Sequence, residues 1–195
     1  MVAGRPRSFD ETDVLERAME IFWQGGYESV GMSELCRAME ISRQSLYGAF
    51  GSKRGLFIRC VEHYRATRLS EALALLDQAD TPRLDRIRSL LGFFETLALD
   101  ARCRGCFVAN TLVEVGPHDT EIEALLSETI ELLRTSIEAT LRAARDSGEL
   151  VASKDPVRLS YALTNAIFGL AVTGKLPLPE SAVHEIYAGT LSILD

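Results

Sequence analysis

The sequence has little of what is typical of secreted, fibrous or membrane-spanning proteins. Its 195 residues include six prolines, fourteen glycines and four cysteines, too few for a collagen-like chain or a dense disulfide framework. The longest stretch without a charged side chain, residues 159–174, contains four polar residues and is shorter than the roughly 18 apolar residues of a membrane span. No apolar core follows the first residues, so no signal peptide is predicted. We therefore expect a cytoplasmic protein.

Basic residues are outnumbered overall but concentrated in one segment. The sequence has 21 Lys and Arg against 28 Asp and Glu, a net charge of −7, which argues against a nucleic-acid partner. Residues 36–65, however, hold six basic and two acidic residues, a local charge of +4. A basic surface on an acidic body can contact phosphates while limiting non-specific association.

Apolar residues recur every three or four positions along nearly the whole chain, and no long segment alternates with a period of two. This periodicity predicts an all-α protein of about nine helices. Asp10 and Ser52 are expected to cap the first and fourth helices, since their side chains accept hydrogen bonds from free helical amides. Pro82 is expected at the first position of a later helix.

Two short helices, at about residues 32–39 and 43–50, are predicted to be joined by a tight turn and to pack on a preceding amphipathic helix. This arrangement describes a helix-turn-helix. Ser42 stands at the N-cap of the second helix and leaves Arg43, Gln44 and Ser45 in its first turn. That end enters the major groove in such motifs, and Arg and Gln pair bidentately with guanine and adenine.

Other side chains suit contacts with the DNA backbone. Tyr47 can offer its hydroxyl to a phosphate, and Lys53 places an ammonium beside the start of the next helix, where anions bind readily. Arg5 and Arg7 lie on an N-terminal arm that suits insertion into a minor groove. The alternative is that these are solvated charges on a small helical bundle; the ordered set favours DNA.

The same segment carries a family resemblance. It rests on short matches within residues 4–64: Gly4-Arg5-Pro6-Arg7, Phe22-Trp23, Gly26-Tyr27, Ser45-Leu46-Tyr47-Gly48-Ala49-Phe50-Gly51-Ser52-Lys53 and Leu56-Phe57. These residues resemble the TetR family of bacterial transcriptional repressors. The resemblance implies a homodimer that holds a palindromic operator until a small molecule enters its C-terminal domain. It also implies a DNA-binding domain over residues 1–55 and a ligand-binding and dimerisation domain over residues 56–195.

The resemblance assigns roles within the motif. Base recognition would fall on Arg43, Gln44, Ser45 and Gly48, and phosphate contacts on Tyr47 and Lys53. Two other positions depart from the family pattern. Glu40 stands in the turn where glycine is usual, and a left-handed backbone there costs on the order of 1 kcal/mol. Gly31 replaces the usual Ser or Thr cap, a loss of about a few tenths of a kcal/mol.

Residues 159–174 predict a helix that is apolar on nearly all faces, which must be buried in a core or against another chain. Its small residues, among them Ala162, Ala166 and Gly169, permit close approach. Together with the final helix it forms a predicted homodimer surface. The alternative is the core of a monomer.

Aromatic walls with a few polar groups are typical of small-molecule sites. Residues of these kinds lie on helices that should converge in the C-terminal domain: Phe94, Leu97, Cys106, Phe107, Asn110, Glu114, Phe168 and Val172. They predict an effector pocket. The alternative is that they belong to the apolar core.

The segment Cys103-Arg104-Gly105-Cys106 allows several interpretations. Zinc would need about two further ligands, and the three histidines are scattered without metal spacing, so no metal and no cofactor is predicted. A thioredoxin-like enzyme would need a βαβ context, which helical periodicity does not offer.

Gly105-Cys106 followed by Asn110 resembles the opening of a central helix in one branch of the family, some of whose members respond to electrophiles or oxidants. A helix N-terminus and a nearby cation, such as Lys175 if the fold brings it close, favour a thiolate. Cys106, with Cys103 as a resolving thiol, is therefore a candidate sensor. The alternative is that Cys106 is a small buried hydrophobic residue.

The sequence thus predicts a repressor that binds DNA and responds to a small-molecule or thiol-reactive effector. Two other classes stay open: a helical interaction module that does not bind DNA, and a thiol-based redox protein. No nucleophile elbow, phosphate-binding glycine loop or histidine pair in the sequence supports an enzyme.

Overall fold

The computed structural model describes residues 9–100 and 104–195, and within these ranges the regular elements are helices without a strand. Packing divides the chain into two compact units, one ending at Tyr64 and the other beginning at Arg65. The domain boundary that the family resemblance implies, at residues 55/56, lies earlier in the chain. The helix beyond that point packs against the first helix and so belongs to the N-terminal unit.

The N-terminal unit consists of four helices: α1 (Glu11–Gly25), α2 (Met32–Met39), α3 (Arg43–Phe50) and α4 (Lys53–Tyr64). Their apolar faces form one small core in which the rings of Phe22 and Phe57 meet edge to face, with centroids 4.9 Å apart. Cys60 is fully buried in this core, and burial raises the pKa of its thiol, so Cys60 is a packing residue with little thiolate.

The predicted caps of these helices are confirmed. Asp10 Oδ1 accepts from the Thr12 amide at 2.8 Å at the start of α1. Ser42 Oγ accepts from the Ser45 amide at 3.0 Å, and Ser52 Oγ accepts from the Gly55 amide at 3.0 Å. Each cap satisfies an amide that the helix itself leaves without a partner. The boundaries of α3 and α4 therefore follow from local sequence.

The C-terminal unit begins where α4 continues into a π-helical turn. Its elements are that turn (Arg65–Leu69), α5 (Ser70–Ala74), a 3-10 turn (Leu75–Asp77), α6 (Arg83–Leu99), α7 (Phe107–Glu114), a 3-10 turn (Gly116–His118), α8 (Thr120–Asp146), α9 (Pro156–Thr173), α10 (Glu180–Leu191) and a last 3-10 turn (Ser192–Leu194). With the continuous helical stretch from Lys53 to Asp77 taken as one, the described ranges contain nine helices. The predicted all-α class is confirmed.

The start of α6 differs from the prediction. Pro82 is not the first helical residue but the N-cap, with an extended ψ of 142°, and α6 begins at Arg83. The turn before it is held by the Arg86 guanidinium, which donates to the carbonyls of Thr81, Leu76 and Ala79 at 2.8–3.1 Å. These bonds keep the chain extended through Pro82, so the helix starts one residue later.

The core of the C-terminal unit lies between α6, α8 and α9. One face of α9 is buried there, including Leu163 and Ile167. The opposite face is exposed in the single chain, and its residues are Arg158, Tyr161, Ala162, Asn165, Gly169 and Val172. No helix among the described residues is long and apolar enough to span a membrane.

Candidate nucleic-acid interface and ligand-domain site

The turn between α2 and α3 sets the geometry of the helix-turn-helix. Glu40 has the left-handed conformation, with φ 57° and ψ 33°, and the Ile41 amide donates to the Cys36 carbonyl at 3.1 Å. A non-glycine residue is strained in this conformation. Arg17 on α1 is salt-bridged to the Glu40 carboxylate at 3.0 Å and also to Asp13. The hydrogen bond to Glu40 raises the pKa of Arg17. The side chain that causes the strain is thus also tied to α1.

The first turn of α3 presents its polar side chains to solvent. Arg43, Gln44, Tyr47 and Gly48 are exposed, with Tyr47 at 49% of its maximal accessible surface. Ser45 is half-buried, and its hydroxyl lies 2.9 Å from that of the cap Ser42. The opposite side of α3 is fastened to the core by residues 46 and 50. This arrangement leaves an exposed edge for contacts with base edges.

Lys53 stands at the start of α4 over the face of the Tyr27 ring, with Nζ 4.6 Å from the ring centroid. It also donates to the Glu28 carbonyl at 3.4 Å. A cation over an aromatic face is held electrostatically while part of its charge stays open to solvent. Arg5 and Arg7, the predicted minor-groove arm, lie outside the described residues.

Two partners of these residues were not predicted from the sequence. Arg43 Nη2 donates to the hydroxyl of Ser33 on α2 at 2.6 Å, and the Lys53 ammonium lies over the ring of Tyr27. Ser33 and Arg43 are ten positions apart and lie on different helices, so helical periodicity does not relate them. The Gly26-Tyr27 match is part of the family resemblance, and it does not by itself predict a contact with Lys53.

In the C-terminal unit, the start of α7 brings several predicted residues together. Cys106 is the N-cap of α7, and its carbonyl accepts from the Asn110 amide at 2.9 Å. The Asn110 side chain donates to the Arg104 carbonyl at 2.8 Å and accepts from Lys175 Nζ at 3.1 Å. The fold therefore brings Lys175 to the turn that precedes α7. Cys103 lies outside the described residues.

Glycine at position 105 allows Lys175 and the end of α9 to lie close to the turn that precedes α7. Its φ is +72°, and an added Cβ would lie 2.8 Å from the Ala171 carbonyl oxygen and 2.9 Å from Lys175 Cδ. Only glycine adopts this backbone without strain, and any side chain would push α9 away. The turn before α7 is thus packed directly against the end of α9.

The other predicted pocket residues occupy different environments. Phe107 is fully buried, Phe94, Glu114 and Phe168 are half-buried, and Leu97 and Val172 are exposed at 48% and 55%.

A cavity of 330 Å³ lies at the end of α6 beside the α9–α10 connection. Its lining residues are Ala98, Leu99, Asp100, Gly174, Lys175, Leu176, Pro177, Leu178, Glu180 and Val183. Lys175 is the predicted site residue that lines it; the eight residues predicted to line a pocket do not.

Comparisons with known proteins match both units. Residues 14–60 match the model of the family "Bacterial regulatory proteins, tetR family", and residues 84–188 match "Tetracyclin repressor-like, C-terminal domain". The transcriptional repressor BdcR of Escherichia coli (strain K12) is 32% identical over 142 residues, 70% of this chain and 68% of BdcR. The uncharacterized regulator YezE of Bacillus subtilis (strain 168) is 28% identical over 98% of this chain and 100% of YezE.

Among solved structures, the chain is similar to a cysteine mutant of the TetR family regulator CifR in complex with a 26-base-pair double-strand operator DNA. The TM-score is 0.85 and the identity 31%, over 96% of this chain and 98% of that one. The reduced form of NemR of E. coli has the same fold, with a TM-score of 0.81 and 20% identity over 94% of this chain and 96% of that one.

Proposed function

The chain belongs to the TetR family of bacterial DNA-binding transcriptional regulators, and we propose that its homodimer represses transcription by placing one α3 in each half-site of a palindromic operator. The observation that carries the proposal is the exposed first turn of α3, where Arg43 and Gln44 stand free of the core while Leu46 and Phe50 anchor the helix. The two recognition helices would lie about 34–36 Å apart or a multiple of it, one turn of DNA between major-groove faces. The protein would bind its operator in the cytoplasm and act as a transcriptional regulator rather than as an enzyme.

The residues of the N-terminal unit divide by role. Base edges would be read by Arg43, Gln44, Ser45 and Gly48, and phosphates would be bound by Tyr47 and Lys53. Arg5 and Arg7 would enter the minor groove. Residues 1–55 thus hold the DNA-contacting surface, and residues 56–195 hold dimerisation and effector binding. Phosphate contacts supply most of the affinity and its salt dependence, whereas base contacts supply sequence preference.

The homodimer would form through the exposed face of α9 together with α10. In the single chain this face combines Tyr161 and Val172 with small residues at positions 162 and 169. Apart from Asn165 and, near the start of the helix, Arg158, the face consists of Tyr161 and of apolar and small side chains, which suit a helix face that packs closely against a second copy.

The direct test is fluorescence anisotropy of the reduced protein at about 0.15 M salt, because affinities depend steeply on salt. The probes are the DNA upstream of its own gene, a duplex enriched by this protein from a random pool, and a shuffled control. Tight binding to an upstream or enriched duplex over the shuffled one is expected. A helical interaction module or a redox protein would bind all three equally weakly.

Arg43→Ala is expected to lower affinity for the preferred duplex by about 5- to 150-fold for each half-site, since one bidentate base contact contributes about 1–3 kcal/mol. Its sequence preference at one base pair per half-site should relax. Arg142→Ala, which removes the same charge from an exposed position on α8, is the control and should change binding little. Equal losses in both variants would mean that Arg43 contributes charge and not base recognition.

The effector would act on the C-terminal unit by favouring a dimer geometry that misses the operator, and it must bind that geometry more tightly than the DNA-bound one. Cys106 is the proposed point of attack for thiol-reactive effectors, with Cys103 as the resolving thiol. Supporting this, Cys106 stands at the N-cap position of α7, whose N-terminal amides favour an anion, and Lys175 is hydrogen-bonded to Asn110 one turn away. Non-covalent effectors would contact Phe94, Leu97, Phe107, Asn110, Glu114, Phe168 and Val172.

Cys106 is expected to react with N-ethylmaleimide faster than a free thiol, with the thiolate adding to the alkene carbon and solvent supplying the proton. The measurement is the labelling rate at each cysteine by peptide mass spectrometry. The internal control is Cys60, which is buried and should stay unlabelled in the folded protein. Labelling should also release the operator. A rate no faster than that of free cysteine would eliminate the sensor role and leave Cys106 as a packing residue.

A further inference from the structure

The guanidinium of Arg43 is held by a side chain of the preceding helix. Its Nη2 donates to the Ser33 hydroxyl oxygen at 2.6 Å, and both residues are exposed. Ser33 is the second residue of α2 and Arg43 the first of α3. We infer that Ser33 is a positioning residue, which orients Arg43 for base reading and so adds to sequence preference. The inference rests on the proposed function, because it requires α3 to enter the major groove.

The packing of α2 against α3 holds the backbones of Ser33 and Arg43 close to each other. Leu35 of α2 and Leu46 of α3 are fully buried, and the turn between the helices is closed by the backbone bond from Ile41 to Cys36. Neither helix can slide without breaking this packing. The backbone of Ser33 is therefore held within reach of Arg43, so its hydroxyl can accept from a long side chain that would otherwise sample many rotamers.

The bond orients Arg43 without using up its capacity to bind a base. A guanidinium has five N–H donors, and Ser33 accepts one of the two on Nη2. Two donors in fork geometry are enough to pair with the O6 and N7 atoms of guanine. A carboxylate at position 33 would instead pair with the cation and compete with DNA for it. The neutral hydroxyl leaves the positive charge available while reducing the rotamer freedom that is lost on binding.

The test is a double-mutant cycle measured on the duplex enriched by the wild-type protein and on its shuffled counterpart. The variants are Ser33→Ala, Arg43→Ala and the pair together, with Ser33→Thr as the conservative variant. Alanine is a better helix former than serine at this exposed position, so the fold is retained. Ser127→Ala, at an exposed position on α8, is the matched control.

Ser33→Ala is expected to weaken binding to the enriched duplex by about 3- to 10-fold for each half-site, the loss of one net hydrogen bond in each subunit. Binding to the shuffled duplex and the salt dependence should stay unchanged, because no phosphate contact is removed. Ser33→Thr should bind as the wild type. In the Arg43→Ala background, Ser33→Ala should cause no further loss.

Each of three results would overturn the inference about Ser33 and leave the proposed function standing. An equal loss in the Arg43→Ala background would show that Ser33 contacts DNA itself. A reduced salt slope would assign Ser33 to a phosphate. Unchanged or tighter binding by Ser33→Ala would show that the serine does not position Arg43 or holds it away from DNA. Failure of the wild-type protein to enrich any duplex would instead overturn the proposed function.

Discussion

Gly169→Leu is expected to convert the homodimer into a monomer and to lower operator affinity by roughly 100-fold or more, because the avidity of two linked half-sites is lost. In the single chain, an added Cβ at this exposed position on α9 would meet nothing within 4 Å. Leucine is also a better helix former than glycine. The monomer fold should therefore be unaffected, and only a second chain lying against α9 would collide with the new side chain.

Sedimentation equilibrium should show the change in mass, and far-UV circular dichroism should show unchanged helix content. Ala139→Leu, which introduces the same side chain at an exposed position on α8, is the control and should remain dimeric. A Gly169→Leu protein that stays dimeric and binds the operator normally would place the subunit interface elsewhere.

Gly55→Ala is expected to lower the free energy of unfolding of the N-terminal unit by about 2–3 kcal/mol, although alanine normally stabilises a helix. The added Cβ would lie 2.2 Å from the backbone oxygen of Phe50, the last residue of α3. A backbone atom cannot rotate away as a flexible side chain can, so α3 and α4 must separate. Because α3 is the proposed recognition helix, operator binding should fall as well.

Gly48→Ala provides the opposite case within the same motif. Nothing lies within 4 Å of a Cβ at Gly48, so this variant should gain about 0.5–1 kcal/mol of stability. It should nevertheless bind the operator less tightly, since the methyl group would project from the proposed base-reading face. Thermal unfolding followed by the fluorescence of Trp23, the sole tryptophan, reports on this unit in both variants. Equal thermal midpoints for Gly55→Ala and the wild type would contradict the close approach of α4 to α3.

Much of the fold could be predicted because its signals are local. The caps Asp10, Ser42 and Ser52 bond to amides two or three residues away, and the apolar period of each helix shows within a few turns. Glycine is usual at the Glu40 position in the family that the sequence resembles, and the structure shows at Glu40 the left-handed conformation that glycine favours. The predicted start of α6 at Pro82 is one residue too early, because the Arg86 guanidinium donates to three preceding carbonyls and the helix begins at Arg83.

The helical class, the helix-turn-helix and the order of polar residues on its exposed edge could be predicted from the sequence, since each depends on neighbours within about four positions. The hydrogen bond between Arg43 and Ser33, the bond from Lys175 to Asn110 across 65 positions, and the exposed face of α9 depend on the packing of whole helices and could not be predicted in this way. The cavity beside the α9–α10 connection likewise combines residues from separate helices. Such contacts depend on how whole helices pack, and helical periodicity specifies which face of a helix is buried but not which side chains of another helix will meet it.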